Sequence, residues 1–150
     1  MTPAPLSFCT GSSLGMLFRH LRDGMRARVE HELAVAGHDL TFSQFVTLKK
    51  LAEGIASVTD LARAAELNPG AMTRLLDRLE AKGLVSRVAD PGDRRALHIH
   101  LTDAGIAIWR DIAQCGQRVH DCALAGMDDA DRDQLLRLLE RVRANLSVES

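Results

Sequence analysis

The chain has 150 residues, a formal net charge of −1, and 46% hydrophobic against 26% charged residues. That length suits one compact domain with helical extensions, the composition is that of an ordinary globular protein, and no run approaches the ~20 apolar residues of a membrane span. A near-neutral chain is also a poor bulk coater of DNA, because sequence-independent affinity comes from many positive charges set against phosphate. Met1 to Cys9 lacks a basic segment followed by an apolar run, so no secretory signal is expected. Three cysteines without metal-ligand spacing fit a reducing cytoplasm better than a disulfide framework.

Residues 1–11 hold two prolines and a glycine and read as a loose arm. From Ser12 or Ser13, an expected N-cap, apolar residues recur at Leu14, Leu17, Phe18, Leu21, Met25, Val29 and Leu33, the spacing of one helical face, and Gly37 closes this first helix. Thr41 with Gln44 has the form of a capping box and opens a second helix that buries Phe45, Leu48 and Leu51. Ser57 with Asp60 starts a short third helix. After the turn Glu66-Leu67-Asn68, Asn68 caps a fourth, with Pro69 in the first turn, where its missing N–H costs nothing. Gly83 ends the fourth helix. Two strands follow, Leu84 to Val88 and Leu97 to Leu101; in the second, Leu97, Ile99 and Leu101 alternate with His98 and His100. Thr102 caps a long fifth helix carrying Ile106, Trp109, Ile112, Val119 and Ala123. Gly126 breaks it, and Asp128 caps a sixth with Leu135, Leu139, Val142 and Leu146 along one edge. The pattern is mainly α with a small β-hairpin: a helix-turn-helix followed by a wing, an arrangement whose usual work is holding duplex DNA.

The chemistry must then lie in how a balanced set of charges is pointed. Between Asp60 and Arg95 the bases Arg63, Arg74, Arg78, Lys82, Arg87, Arg94 and Arg95 nearly match the acids Asp60, Glu66, Asp77, Glu80, Asp90 and Asp93. On the fourth helix Leu75, Leu76 and Leu79 must face inward, which turns Ala71, Thr73, Arg74, Asp77 and Arg78 outward. Arg74 is the candidate for a bidentate contact to guanine, and Arg78, one turn on, suits a phosphate. The competing reading makes Arg74–Asp77 and Arg78–Lys82 ordinary i+3 and i+4 neighbours on a solvated helix. Between the strands, Pro91 and Gly92 force a turn beside Arg94 and Arg95, and Asp93 is placed to accept from a neighbouring guanidinium and hold it extended. An arginine held so fits a narrow minor groove, where the potential is most negative.

Other residues invite sharper ideas. Met16, His20, Phe45 and Trp109 could wall a ligand pocket between the first, second and fifth helices, where each would otherwise be plain core. Cys115 and Cys122, seven apart and so about 10 Å along one helix face, are too far apart for a bridge and read as small buried hydrophobes. His98 and His100 share a strand face, but no further ligand is positioned to complete a metal site, so neither metal nor other cofactor is expected. No nucleotide-binding glycine run, activated-serine turn or paired metal motif is present, so no enzyme is expected.

Asp60-Leu61-Ala62, Met72 through Glu80, Lys82-Gly83-Leu84-Val85, Asp90 through Arg95 and Leu101 through Gly105 together resemble the MarR family of bacterial transcriptional regulators, closely over about residues 40–105. The resemblance implies a homodimer in which the first, fifth and sixth helices of both subunits interlock, a winged helix in each lobe, and repression relieved by a ligand or an oxidant. It implies that Arg95 probes the minor groove, steadied by Asp93, and that Arg94 meets phosphate. One branch of the family senses organic hydroperoxides through a cysteine near the first helix. Cys9 sits in about that place, but the tyrosines that hold the reactive thiolate there are lacking, since this chain has none.

The expected organisation is a helical dimerisation region, 1–36 and 102–150, flanking a winged helix-turn-helix over 37–101. The expected function is a cytoplasmic, sequence-specific, ligand-relieved repressor. Its partners would be a pseudo-palindromic DNA operator, a second copy of the chain, and a small-molecule inducer, aromatic or otherwise. Two alternatives share the fold: a cysteine-based redox-sensing repressor, and a winged-helix protein-interaction module that does not bind DNA.

Overall fold

The computed structural model describes residues 11–148. Eight elements follow in order: α1 (Gly11–Val35), α2 (Phe42–Ala52), α3 (Val58–Ala65), α4 (Pro69–Ala81), β1 (Val85–Asp90), β2 (Asp93–Leu101), α5 (Asp103–Ala123) and α6 (Asp129–Leu146). The helix ends are set by local chemistry. The Thr41 hydroxyl accepts from the Gln44 amide at 3.2 Å while the Gln44 side chain accepts from the Thr41 amide at 3.1 Å, closing the capping box. Ser57 caps α3, Asn68 caps α4 and Asp128 caps α6, each through the amide three residues on. Ser12 and Ser13, the expected N-cap positions, lie inside α1.

The chain divides into two compact units, one running to Val119 and the other from His120. The first holds the core. Val29 and Leu33 of α1 meet Phe45 and Leu48 of α2, Leu61 of α3, Met72, Leu76 and Leu79 of α4, Val85 and Ile99 of the hairpin, and Ile112 and Cys115 of α5. Only the C-terminal end of the α1 apolar stripe is used. Leu14, Leu17, Leu21 and Met25 remain about half exposed in the single chain. In the second unit Asp128 starts α6, which buries none of its residues in the single chain; Leu136, Leu138 and Leu146 are 55%, 51% and 73% exposed.

The hairpin reaches further than its apolar pattern suggests. β1 runs on to Asp90 and β2 starts at Asp93, so Arg94 and Arg95 belong to a strand, and the turn is only Pro91-Gly92. The strands pair antiparallel from Val85↔Leu101 outward, with a register shift between Ala89 and Asp90. Ile99 is buried, yet Leu97 is 45% exposed, because the outer half of the wing projects past the core. A backbone bridge from Ser57 to His98 and a 2.9 Å bond from the Ile99 amide to the Ala56 carbonyl attach the α2–α3 connection to the outer edge of β2.

Four elements converge at Thr102. Its hydroxyl donates to the Gly83 carbonyl at 2.6 Å and accepts from the Gly105 amide at 3.1 Å, and its amide donates to the Leu84 carbonyl at 3.1 Å. α5 therefore starts against the point where α4 ends and β1 begins. Gly105 makes the approach possible: a Cβ there would stand 2.0 Å from the Leu84 carbonyl oxygen. Gly105→Ala should cost about 1–3 kcal/mol as α5 is pushed off the strand. Thermal unfolding reads this directly, and an unchanged melting temperature would contradict the packing described.

Candidate nucleic-acid interface

α3, the turn at Glu66 and α4 form the helix-turn-helix. Glu66 turns the chain with φ +55°, a left-handed conformation uncommon outside glycine, and its carboxylate is ion-paired with Arg22 of α1. Met72, Leu75, Leu76 and Leu79 are buried, which turns Thr73, Arg74, Asp77, Arg78 and Glu80 to solvent, with Ala71 half-buried at the start. Arg74 and Arg78 make no ion pair among the described residues. Asp77 is not Arg74's partner. It takes a 2.7 Å hydrogen bond from Nη2 of Arg87, which reaches across from β1 and donates also to the Thr73 carbonyl at 3.2 Å. The Nε of Arg87 lies 3.6 Å from the Glu80 carboxylate. Lys82 donates to the Asp39 carbonyl. The sequence gives Arg87 no special spacing, and only the fold of the wing against α4 brings it to these carboxylates.

The pocket residues read from sequence separate. Met16 and His20 are exposed on α1. Phe45 is buried, 5.7 Å between ring centroids from the half-buried Trp109, and its ring stands where a Cβ on Gly116 would come within 2.9 Å. A cleft of about 300 Å³ lies elsewhere, between α1, the start of α2 and α4. Arg26, Thr41 and Gln44 line one side, and Ala71, Arg74 and Arg78 the other. Arg26 stacks on the Phe42 ring at 5.0 Å, a contact that sequence spacing does not reveal. Cys9 lies outside the described residues. Cys115 is buried, with Nη2 of Arg118 3.3 Å from its sulfur, whereas Cys122 is exposed and so is no core residue of the single chain. Among the described residues no cluster of three or more His, Cys, Asp or Glu side chains is arranged to hold a metal ion.

In the wing, Asp90 organises the turn. Its Oδ1 accepts from the Gly92 amide at 2.8 Å and its Oδ2 lies 2.9 Å from Nε2 of His98 on the facing strand. The His98 and His100 rings stack 6.4 Å apart on one face. Asp93 is exposed and opens β2 opposite Asp90. The backbones of Arg94 and Arg95 continue that strand; their side chains lie outside the described part of the structure. The His98 ring first, and the Gly92 amide second, hold the Asp90 carboxyl below its ordinary range. A carboxylate lowered on folding stabilises above its unfolded value and ceases to do so as pH falls through the lowered one. The Gly92 amide resonance should therefore titrate with a midpoint below that of an ordinary aspartate, and Asp90→Asn should abolish that titration. A Gly92 resonance that titrates unchanged in the variant would place the turn under other control.

Comparison with known proteins agrees with this geometry. A family model described as the MarR family matches residues 40–97, from just before α2 into β2. The HTH-type transcriptional repressor NicR of Pseudomonas putida is 31% identical over an alignment covering 69% of this chain and 66% of that protein. The HTH-type transcriptional regulator SarZ of Staphylococcus haemolyticus is 32% identical over 72% of this chain and 73% of its own. Among solved structures, a mutant MarR from E. coli complexed with operator DNA superposes with a TM-score of 0.75 at 29% identity, covering 87% of this chain and 93% of that one. The chain belongs to the MarR family of transcriptional regulators.

Proposed function

We propose that this chain is a sequence-specific DNA-binding transcriptional repressor that works as a homodimer on an inverted-repeat operator and is released by a small molecule. One observation carries the reading. Arg74 and Arg78 stand exposed on α4 of a helix-turn-helix without carboxylate partners among the described residues, while the nearby Asp77 is engaged by Arg87. A guanidinium left open on a recognition helix suits the paired acceptors of guanine, and one a turn later suits phosphate. Ala71 and Thr73 flank Arg74 on the same helix and would complete the groove contact. Arg95, steadied by Asp93, would enter the minor groove, with Arg94 on phosphate. The solved complex of the E. coli relative with operator DNA and the repressor function of NicR support the assignment.

Dimerisation follows from uncovered surface. In the first unit Leu14, Leu17, Leu21 and Met25 lie open on α1, and in the second Leu136, Leu138, Leu139 and Leu146 lie open on α6. A single chain seldom leaves that much apolar surface to water. A second copy would cover both, with 1–36 and 102–150 as the dimerisation region and 37–101 as the DNA-binding region. Release by a ligand is supported by the cleft beside α4, because an occupant there would compete with DNA for Arg74 and Arg78. The reading is of a binding protein and not an enzyme, placed in the cytoplasm. No helix among the described residues is long and apolar enough to cross a membrane.

Arg74→Ala should cost about 1–3 kcal/mol on operator DNA and relax preference at one base position per half-site, whereas Arg95→Ala should weaken binding according to the A·T content flanking the half-sites. Gel shifts on a randomised operator series separate the two patterns. Equal weakening on operator and random DNA would remove Arg74 from base recognition. Leu139→Asp with Val142→Asp should leave a monomeric or unfolded protein, because charge would replace apolar surface at the seam. Sedimentation at micromolar concentration checks this, and a monomeric parent would contradict the dimer.

A further inference from the structure

We propose that Arg87 is a positioning residue of the DNA-binding surface: by holding Asp77 and Glu80 it leaves Arg74 open to DNA and masks two carboxylates that would otherwise face phosphate. The inference rests on the DNA-binding reading above and concerns a residue outside the recognition helix and the wing tip.

The charges on α4 pose the problem. Arg74 and Asp77 are three residues apart, about 60° around the helix, close enough to pair with each other. Such a pair would fold the Arg74 guanidinium back along the helix and present a carboxylate in its place. Glu80, one turn past Asp77 on the same stripe, adds a second negative charge beside the groove-facing surface. Left bare, both would repel the DNA backbone, since like charges brought together at an interface oppose binding.

Arg87 has the geometry to prevent this. It sits on β1, paired with Ile99 across the hairpin, so its backbone is fixed by the strand. Its side chain is 24% exposed, against 58% for Asp77 and 49% for Glu80. One nitrogen serves both Asp77 Oδ1 and the Thr73 carbonyl, and another faces Glu80. That carbonyl already lies in the helical ladder, where its second lone pair is open to an added donor. Two acceptors one turn apart thus share Nη2 of one guanidinium, while its Nε faces the Glu80 carboxylate as an ion pair at 3.6 Å. The same contacts tie the wing strand to the outer face of α4, so the two DNA-reading parts keep one relative position.

A thermodynamic cycle tests the assignment. The probe is a duplex selected by the parent protein from a random pool, with Kd measured at several salt concentrations and folding checked by thermal unfolding. Arg87→Ala should weaken binding about tenfold or more. Asp77→Asn with Glu80→Gln in the parent should change binding by about threefold or less, and the same pair added to Arg87→Ala should return it to within about threefold of the parent. Arg87→Met keeps an unbranched apolar stem without the charge; it serves if Arg87→Ala unfolds, with the same signs expected. The proposal is overturned if the carboxylate changes alter affinity by the same factor with and without Arg87. It is overturned also if the triple variant stays as weak as Arg87→Ala with a salt slope smaller by about 1, since Arg87 would then contact phosphate itself. Arg74→Ala distinguishes failure of the inference from failure of the reading beneath it. If that variant binds like the parent, or no duplex is selected, α4 is not the DNA-reading element and both fall.

Discussion

The contact between Gly105 and the Leu84 carbonyl is the constraint on which the winged helix-turn-helix depends. α4 must end, β1 begin, β2 return and α5 start within one small volume, and Thr102 supplies the hydrogen bonds that let all four meet. The left-handed Gly83 turns the chain there without a steric penalty, and the missing side chain of Gly105 lets α5 lie against the strand. The helix-turn-helix and the wing both hang from this junction. The direction of the wing relative to α4, and so the reach of Arg87 to the Thr73–Glu80 stripe, follows from where β1 leaves it.

Electrostatics shows the same economy. A chain with net charge −1 has no general attraction for phosphate, so each guanidinium must be assigned. Arg22 goes to Glu66 in the turn of the helix-turn-helix, Arg118 to Glu32 between α5 and α1, and Arg87 to Asp77 and Glu80. Arg74 and Arg78 have no carboxylate partner among the described residues. Pairing of this kind takes part of the positive charge out of any general attraction for phosphate.

Most of the local structure was legible in the residues. The Thr41–Gln44 capping box, the Ser57, Asn68, Thr102 and Asp128 caps and the left-handed Gly83 all form as read, because each needs only a side chain and the amide three residues away, or one backbone conformation. The inward leucines of α4 likewise follow from helical periodicity. Elsewhere the residues and the structure differ. Ser12 and Ser13 look like caps but lie within α1. The apolar pattern ended the strands early, since the outer wing has no buried face to leave a pattern. Cys122 shares a helix stripe with the buried Cys115, yet it is exposed.

The sequence by itself determined the order of elements, the caps that bound them, the winged helix-turn-helix and the two arginines that α4 turns outward, because all of these are set by interactions spanning a few residues. Only the tertiary structure decided what those arginines compete with. Whether Asp77 pairs with Arg74 three residues before it or with Arg87 ten residues after it is not written in helical spacing. It depends on how the hairpin lies against α4, which is fixed by the packing of Leu84, Val85 and Ile99 into a core drawn from five helices. Burial there outweighs what any exposed ion pair contributes, so the surface charges take the partners that the core leaves within their reach.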